Sequence, residues 1–190
     1  MDAYAHLKVL VSLILGLSIT RVLSGLSRRL QMPERTAAIH AQMIWSFVLL
    51  LSAVHFWWWE FALRLIHDWH FGSYVFVLAY ASLFFLMATL IYPDVVAGHA
   101  ESEAFFLRRR RGFFGLFGLS FVFDLFDTLL KGAAYLEALG WAYLLRLAVG
   151  GAIAVMAMRW GGDNRRLALL GLVWLLIDLG WILWRYDLLN

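Results

Sequence analysis

Apolar residues in this chain run in blocks of membrane-spanning length, separated by short polar segments. A hydrocarbon core about 30 Å thick needs about 20 predominantly apolar residues in helix. Six stretches meet that requirement: residues 4–30, 38–63, 72–93, 112–136, 141–158 and 167–184. The third carries no charged residue at all. Each is expected to be helical, because an open sheet would leave backbone N–H and C=O groups unpaired in lipid. The predicted fold is therefore all-α, a polytopic membrane bundle of six transmembrane helices forming one domain over residues 1–190. Residues 98–111 read as an interfacial segment beside the fourth span.

The first span resembles a signal sequence in that Lys8 precedes an apolar run. Asp2 lies in the region that would have to be positive, and no small-residue cleavage site follows. It is expected to be a retained helix. Two short echoes hint at a 3+3 inverted repeat, an arrangement common in transporters. Gly16-Leu17-Ser18 matches Gly118-Leu119-Ser120, and Tyr92-Pro93-Asp94 resembles Arg185-Tyr186-Asp187.

Composition strengthens the membrane assignment. Hydrophobic residues make up 63% of the chain and charged residues only 15%, against about 25% charged in soluble domains. There is no cysteine, which excludes disulfides, thiolate catalysis, iron–sulfur clusters and cysteine-bound zinc. Net charge is a modest +3, so the placement of the charges matters more than their sum. Arg28, Arg29 and Arg35 follow span one, Arg108, Arg109, Arg110 and Arg111 follow span three, and Arg159, Arg165 and Arg166 follow span five. All three loops fall on one side. The positive-inside rule puts that side in the cytoplasm, as in a bacterial inner membrane, with both termini outside. Tryptophans 57, 58, 59, 69, 181 and 184 then form a belt at the outer interface. Arg108–Arg111 serve as a topology anchor and attract anionic lipid head groups.

Charges inside the spans carry the functional signal. Such residues are costly in hydrocarbon, face the protein interior and tend to pair. From the ~1.5 Å rise per residue, Asp124 lies ~18 Å from the arginine-rich end, Arg146 ~20 Å, Asp178 ~21 Å and Asp127 ~22 Å. Arg21 lies nearer that end at ~13 Å, and Lys131 further away at ~28 Å. Ser120, Asp124, Asp127 and Lys131 fall on one helical face. The expectation is that Asp124 or Asp127 pairs with Arg146, that Asp178 joins them, and that Arg21 reaches Asp124 or the interface. Such a network serves either as a proton or ion relay or as a clamp fixing helix register. Small residues at 12, 16, 20 and 24, and at 148, 150, 152 and 154, predict close helix approach within the chain, or else a homo-oligomer contact.

Histidines offer a second chemistry. His67 and His70, with Glu60 and His6 on the same side, have the donor types for a metal. His55 sits inside span two, where a lone histidine hydrogen-bonds a neighbour or ligates a pigment; no second histidine lies at its depth, which argues against a bis-histidine haem. No nucleotide-binding loop, nucleophile elbow or H-E-x-x-H pair is present, which argues against ATP-driven or hydrolytic enzyme chemistry. No cofactor and no nucleic-acid partner is expected. Three functions remain open: proton, ion or small-solute transport; a non-catalytic subunit or assembly factor of a larger membrane complex; and metal or cofactor binding.

Overall fold

A computed structural model describes residues 3–31, 41–66, 68–94, 99–160 and 163–187. Those residues form six α-helices and no strand: α1 (Ala3–Gln31), α2 (Ala41–Trp59), α3 (Phe71–Ile91), α4 (His99–Leu130), α5 (Ala133–Arg159) and α6 (Asn164–Asp187). A 3-10 turn over Glu60–Leu65 extends α2. All six α-helices are long and apolar enough to cross a membrane, consistent with an integral membrane protein.

Two boundaries differ from the hydropathy reading. Of the expected interfacial segment 98–111, residues 99–111 are the first part of α4 and run unbroken into the span. At 32 residues this helix is about 48 Å long by its rise, well beyond the hydrocarbon thickness. It continues through the arginines because its other face is anchored: Phe106, Phe113 and Phe114 are fully buried, while Arg108, Arg109 and Arg111 point outward. At its far end α4 stops at Leu130 rather than at residue 136. Gly132, with φ 110°, turns the chain there, a conformation that costs glycine little and other residues more. Residues 133–136 therefore open α5, which kinks at Gly140.

The inverted repeat is not confirmed. In a 3+3 repeat, α4 would lie along α6 as α1 lies along α3. Instead α1 packs broadly on α3, while α4 packs on α5 and α3 and meets α6 through ring contacts such as Phe121–Trp174 at 5.2 Å. The small-residue stripe of α1 is also not its packing face. Leu7, Val11, Leu15, Ser18 and Val22 are buried, whereas Gly16, Thr20 and Ser24 are exposed. Of the small residues singled out on α5, Gly150 and Ala154 are buried, and Ala148 and Ala152 face outward.

Packing differs between the two ends of the bundle. At the arginine-rich end, the buried Gln42 side chain accepts from Arg29 Nη1 at 2.7 Å and donates to the Ile91 carbonyl at 2.8 Å and to Ser102 Oγ at 2.9 Å. One amide thus ties α1, α2, α3 and α4 together. Beyond it Trp45 stands edge-on to Phe113, Phe114 and Phe117, with centroids 4.7–5.8 Å apart, and donates from its indole to the Leu167 carbonyl at 2.9 Å. Lipid tails are as apolar as these rings, so close van der Waals fit and the polar ties hold this end together, rather than exclusion of water. The aromatic layer separates the arginine-rich end from the charges deeper in the bundle.

Candidate functional site: a buried layer of carboxylates and cations

The layer is built on the polar face of α4. Ser120, Asp124, Asp127 and Thr128 are all buried there, turned inward by the one-turn spacing that puts such positions on one side of a helix. Arg146 approaches from α5. Its guanidinium donates from Nη1 to Asp124 Oδ2 at 3.1 Å and from Nε to Asp178 Oδ1 of α6 at 2.9 Å, while Nη2 lies 2.8 Å from the same Asp178 oxygen. The fork geometry of arginine lets one cation hold two carboxylates on different helices. Its face lies 4.8 Å from the Trp181 ring and 5.7 Å from Trp174, close enough for cation–π attraction.

Two further side chains complete this half. Tyr143, three residues before Arg146, places its hydroxyl 3.2 Å from Asp124 Oδ1, 3.0 Å from the Asp124 carbonyl and 2.7 Å from Thr128 Oγ1. His55 of α2 lies with Nδ1 3.5 Å from Arg146 Nη2. A guanidinium only donates, so the facing nitrogen accepts and the ring proton sits on Nε2. That Nε2 has no hydrogen-bond partner among the described residues. The His55 ring packs edge-on to Trp59, Trp181 and Tyr186.

The second half lies nearer the opposite end. Lys131 has a fully buried side chain and bonds Asp127 Oδ2. It also lies 3.4 Å from Glu60 Oε1 and 3.4 Å from the Trp59 carbonyl. Its ammonium is 5.2 Å from the Trp59 ring. The Glu60 and Asp127 carboxylates neighbour each other, and each keeps one oxygen without a well-formed hydrogen bond. Among the described residues, then, Glu60, Asp124, Asp127 and Asp178 face Arg146 and Lys131, four carboxylates against two cations.

Several spaces lie beside this layer. A cavity of about 30 Å³ lies between His55, Ser120, Asp124, Arg146 and Trp59, and it does not take a haem-sized group. A wider vestibule of about 490 Å³ opens at the end away from the arginine-rich segments, walled by Trp58, Trp59, Phe61, Tyr135 and Tyr186 with Arg64 and Arg185. Trp59 belongs to both walls.

The six intramembrane charges named from sequence do not form one network. Arg146, Asp124 and Asp178 come together, and Asp127 pairs with Lys131 instead. Arg21 joins neither group. It bonds Asp94 at 2.8 Å beyond the end of α3, because α1 packs on α3 and turns this face away from α4. The metal candidates separate as well. Glu60 is engaged by Lys131, and His6 and His70 are exposed. His67 lies outside the described residues, and no group of three metal-ligating side chains occurs among them. Sequence reasoning missed Tyr143 and Gln42, although each had a signal: Tyr143 shares a helix face with Arg146, and Gln42 shares one with Ser46. No family model, curated protein or solved structure matches this chain.

Proposed function

We propose that the protein is a proton-coupled membrane transporter, closed in this conformation, whose proton-carrying groups are Glu60, Asp127 and Asp124. The surplus of carboxylates over cations carries this reading. With Glu60, Asp124, Asp127 and Asp178 all ionised, Lys131 and Arg146 leave two negative charges inside apolar protein. An unpaired buried charge costs far more than a bound proton, so the layer is suited to taking up protons and exchanging them. Glu60 and Asp127 lie toward the vestibule, and Asp124 follows Asp127 by one turn of α4. Arg146 and Lys131 act as fixed counter-charges. The ring layer around Trp45 closes the arginine-rich side, so passage across the bundle requires that layer to part.

Flux into liposomes tests this. Purified protein reconstituted around a pH-sensitive dye is expected to dissipate an imposed proton gradient faster than empty vesicles. Asp127→Asn leaves Lys131 paired with Glu60 and is expected to slow that flux at least about tenfold, the scale on which positioned proton-transfer groups act. Wild-type vesicles no leakier than empty ones would remove the transport reading. A second reading then stands, a non-catalytic subunit in which Arg146 clamps α4, α5 and α6; the complete pairing of Arg146 with two helices favours it.

We further place the arginine-rich end in the cytoplasm of a bacterial inner membrane, against anionic head groups, with the vestibule outside. The chain has no cysteine, so single introduced thiols report topology cleanly. Phe71→Cys, at a position 81% exposed, is expected to react with an impermeant maleimide on intact cells. Arg109→Cys is expected to react only after permeabilisation, and the reverse pattern would invert the orientation.

A further inference from the structure

The vestibule has a chemistry of its own, apart from the buried layer. Its volume of about 490 Å³ lies within the range of small-molecule sites, about 300–1,000 Å³. Its walls are rings that brace one another. Trp58 stands edge-on to Phe61 at 5.6 Å and to Tyr186 at 5.8 Å, and Trp59 to Tyr135 at 5.6 Å. Rings held this way present apolar surface without having to be ordered on binding. Arg64 and Arg185 also line the space. Among the described residues, neither pairs with a carboxylate and no carboxylate lines the vestibule. Other arginines of the chain are engaged: Arg21 by Asp94, Arg146 by Asp124 and Asp178, and Arg166 by Asp163. A guanidinium is always charged and binds carboxylate or phosphate oxygens through a planar fork. Two of them thus line one mainly aromatic space.

We propose that this vestibule binds a small amphipathic anion, a carboxylate or phosphate carried on an aromatic or alkyl body. The anionic group sits between Arg64 and Arg185, and the body lies against Trp58, Phe61 and Tyr186. This goes beyond the proton reading and holds whether or not the buried layer moves protons. The same chemistry is offered by a free solute and by the head group of an anionic lipid.

4-Bromobenzoate is a suitable probe, because its bromine quenches tryptophan emission on contact. In phosphatidylcholine nanodiscs, quenching of the full-length protein is expected to saturate. The midpoint is expected to rise at least about tenfold in the Arg64→Gln/Arg185→Gln double variant, the loss of two charge-assisted contacts. The Arg64→Lys/Arg185→Lys variant keeps the charge and loses the fork, so its midpoint is expected to stay within about threefold of wild type. This second variant also guards against a folding defect in the first. Neutral 4-bromobenzamide is expected to quench without saturating. Equal midpoints in wild type and the glutamine variant, or saturation by the amide at the same midpoint, would overturn the proposal. Phosphatidylglycerol in the nanodisc separates the sources. If it weakens benzoate quenching in wild type beyond any change in the glutamine variant, the anion site is a lipid head-group site; if it does not, the anion site serves a free solute.

Discussion

Arg146→Met is expected to cost the bundle about 3–5 kcal/mol, the usual penalty for removing one partner of a buried ion pair. The size follows from what is left behind. Asp124 and Asp178 are 7% and 1% exposed, and Arg146 is the cation that both contact. Without it, two buried carboxylates on α4 and α6 are left without their shared counter-charge. Methionine fills the volume of the arginine stem and so isolates the loss of charge from the loss of packing. A second variant sharpens the point. Arg146→Met combined with Asp124→Asn and Asp178→Asn removes the charge on all three positions and is expected to recover most of the loss, since a neutral set of similar shape is often as stable as the ions it replaces. Arg146→Lys is expected to recover only part of it, because one ammonium cannot reproduce the contacts of Nε and Nη2 with Asp178 together with that of Nη1 with Asp124. Reversible unfolding in mixed micelles measures all four proteins. If the single Met variant matches wild type, Arg146 is not the fastening between these helices.

That fastening was partly legible in the sequence, and the reason is geometric. Counting residues along a helix fixes depth, and depth alone brought Asp124, Arg146 and Asp178 to one level. It does not fix which way a helix faces. Arg21, nearer the arginine-rich end, is left by the sequence with two options, Asp124 or the interface; α1 packs on α3, so its arginine turns to the exposed Asp94. Glu60 shows the complementary failure. Its place at the end of span two, with histidines nearby, suggests a metal donor, whereas the 3-10 turn tightens the chain and folds the carboxylate inward to Lys131. No periodicity announces a 3-10 turn of six residues. The end of α4 was misread for a related reason: residues 133–136 are as apolar as a span, and only the positive φ of Gly132 ends the helix before them. The six spans themselves were legible because a bilayer requires a minimum apolar length of each.

Glu60→Gln is expected to separate proton movement from stability more sharply than any other single change. Lys131 faces two carboxylates, Asp127 and Glu60, so neutralising one still leaves a complete ion pair at that position. The variant is therefore expected to unfold within about 1 kcal/mol of wild type, the range typical of substitutions that strand no buried group. Lys131→Met strands both carboxylates and is expected to lose about 3–5 kcal/mol. Flux is expected to divide the variants differently. Glu60 is the carboxylate of the layer carried by the turn that also supplies Phe61 and Arg64 to the vestibule wall, so a proton entering from that end reaches it first. Losing that group is expected to slow proton flux at least about tenfold in a protein that remains as stable as its parent. A clamp has no such division, because in a clamp every effect on function follows from an effect on stability. Glu60→Gln with wild-type flux and wild-type stability would show that Glu60 carries no proton and would move the point of entry to Asp127. The same variant with lost flux and unchanged stability would make the surplus carboxylate a working part of the protein.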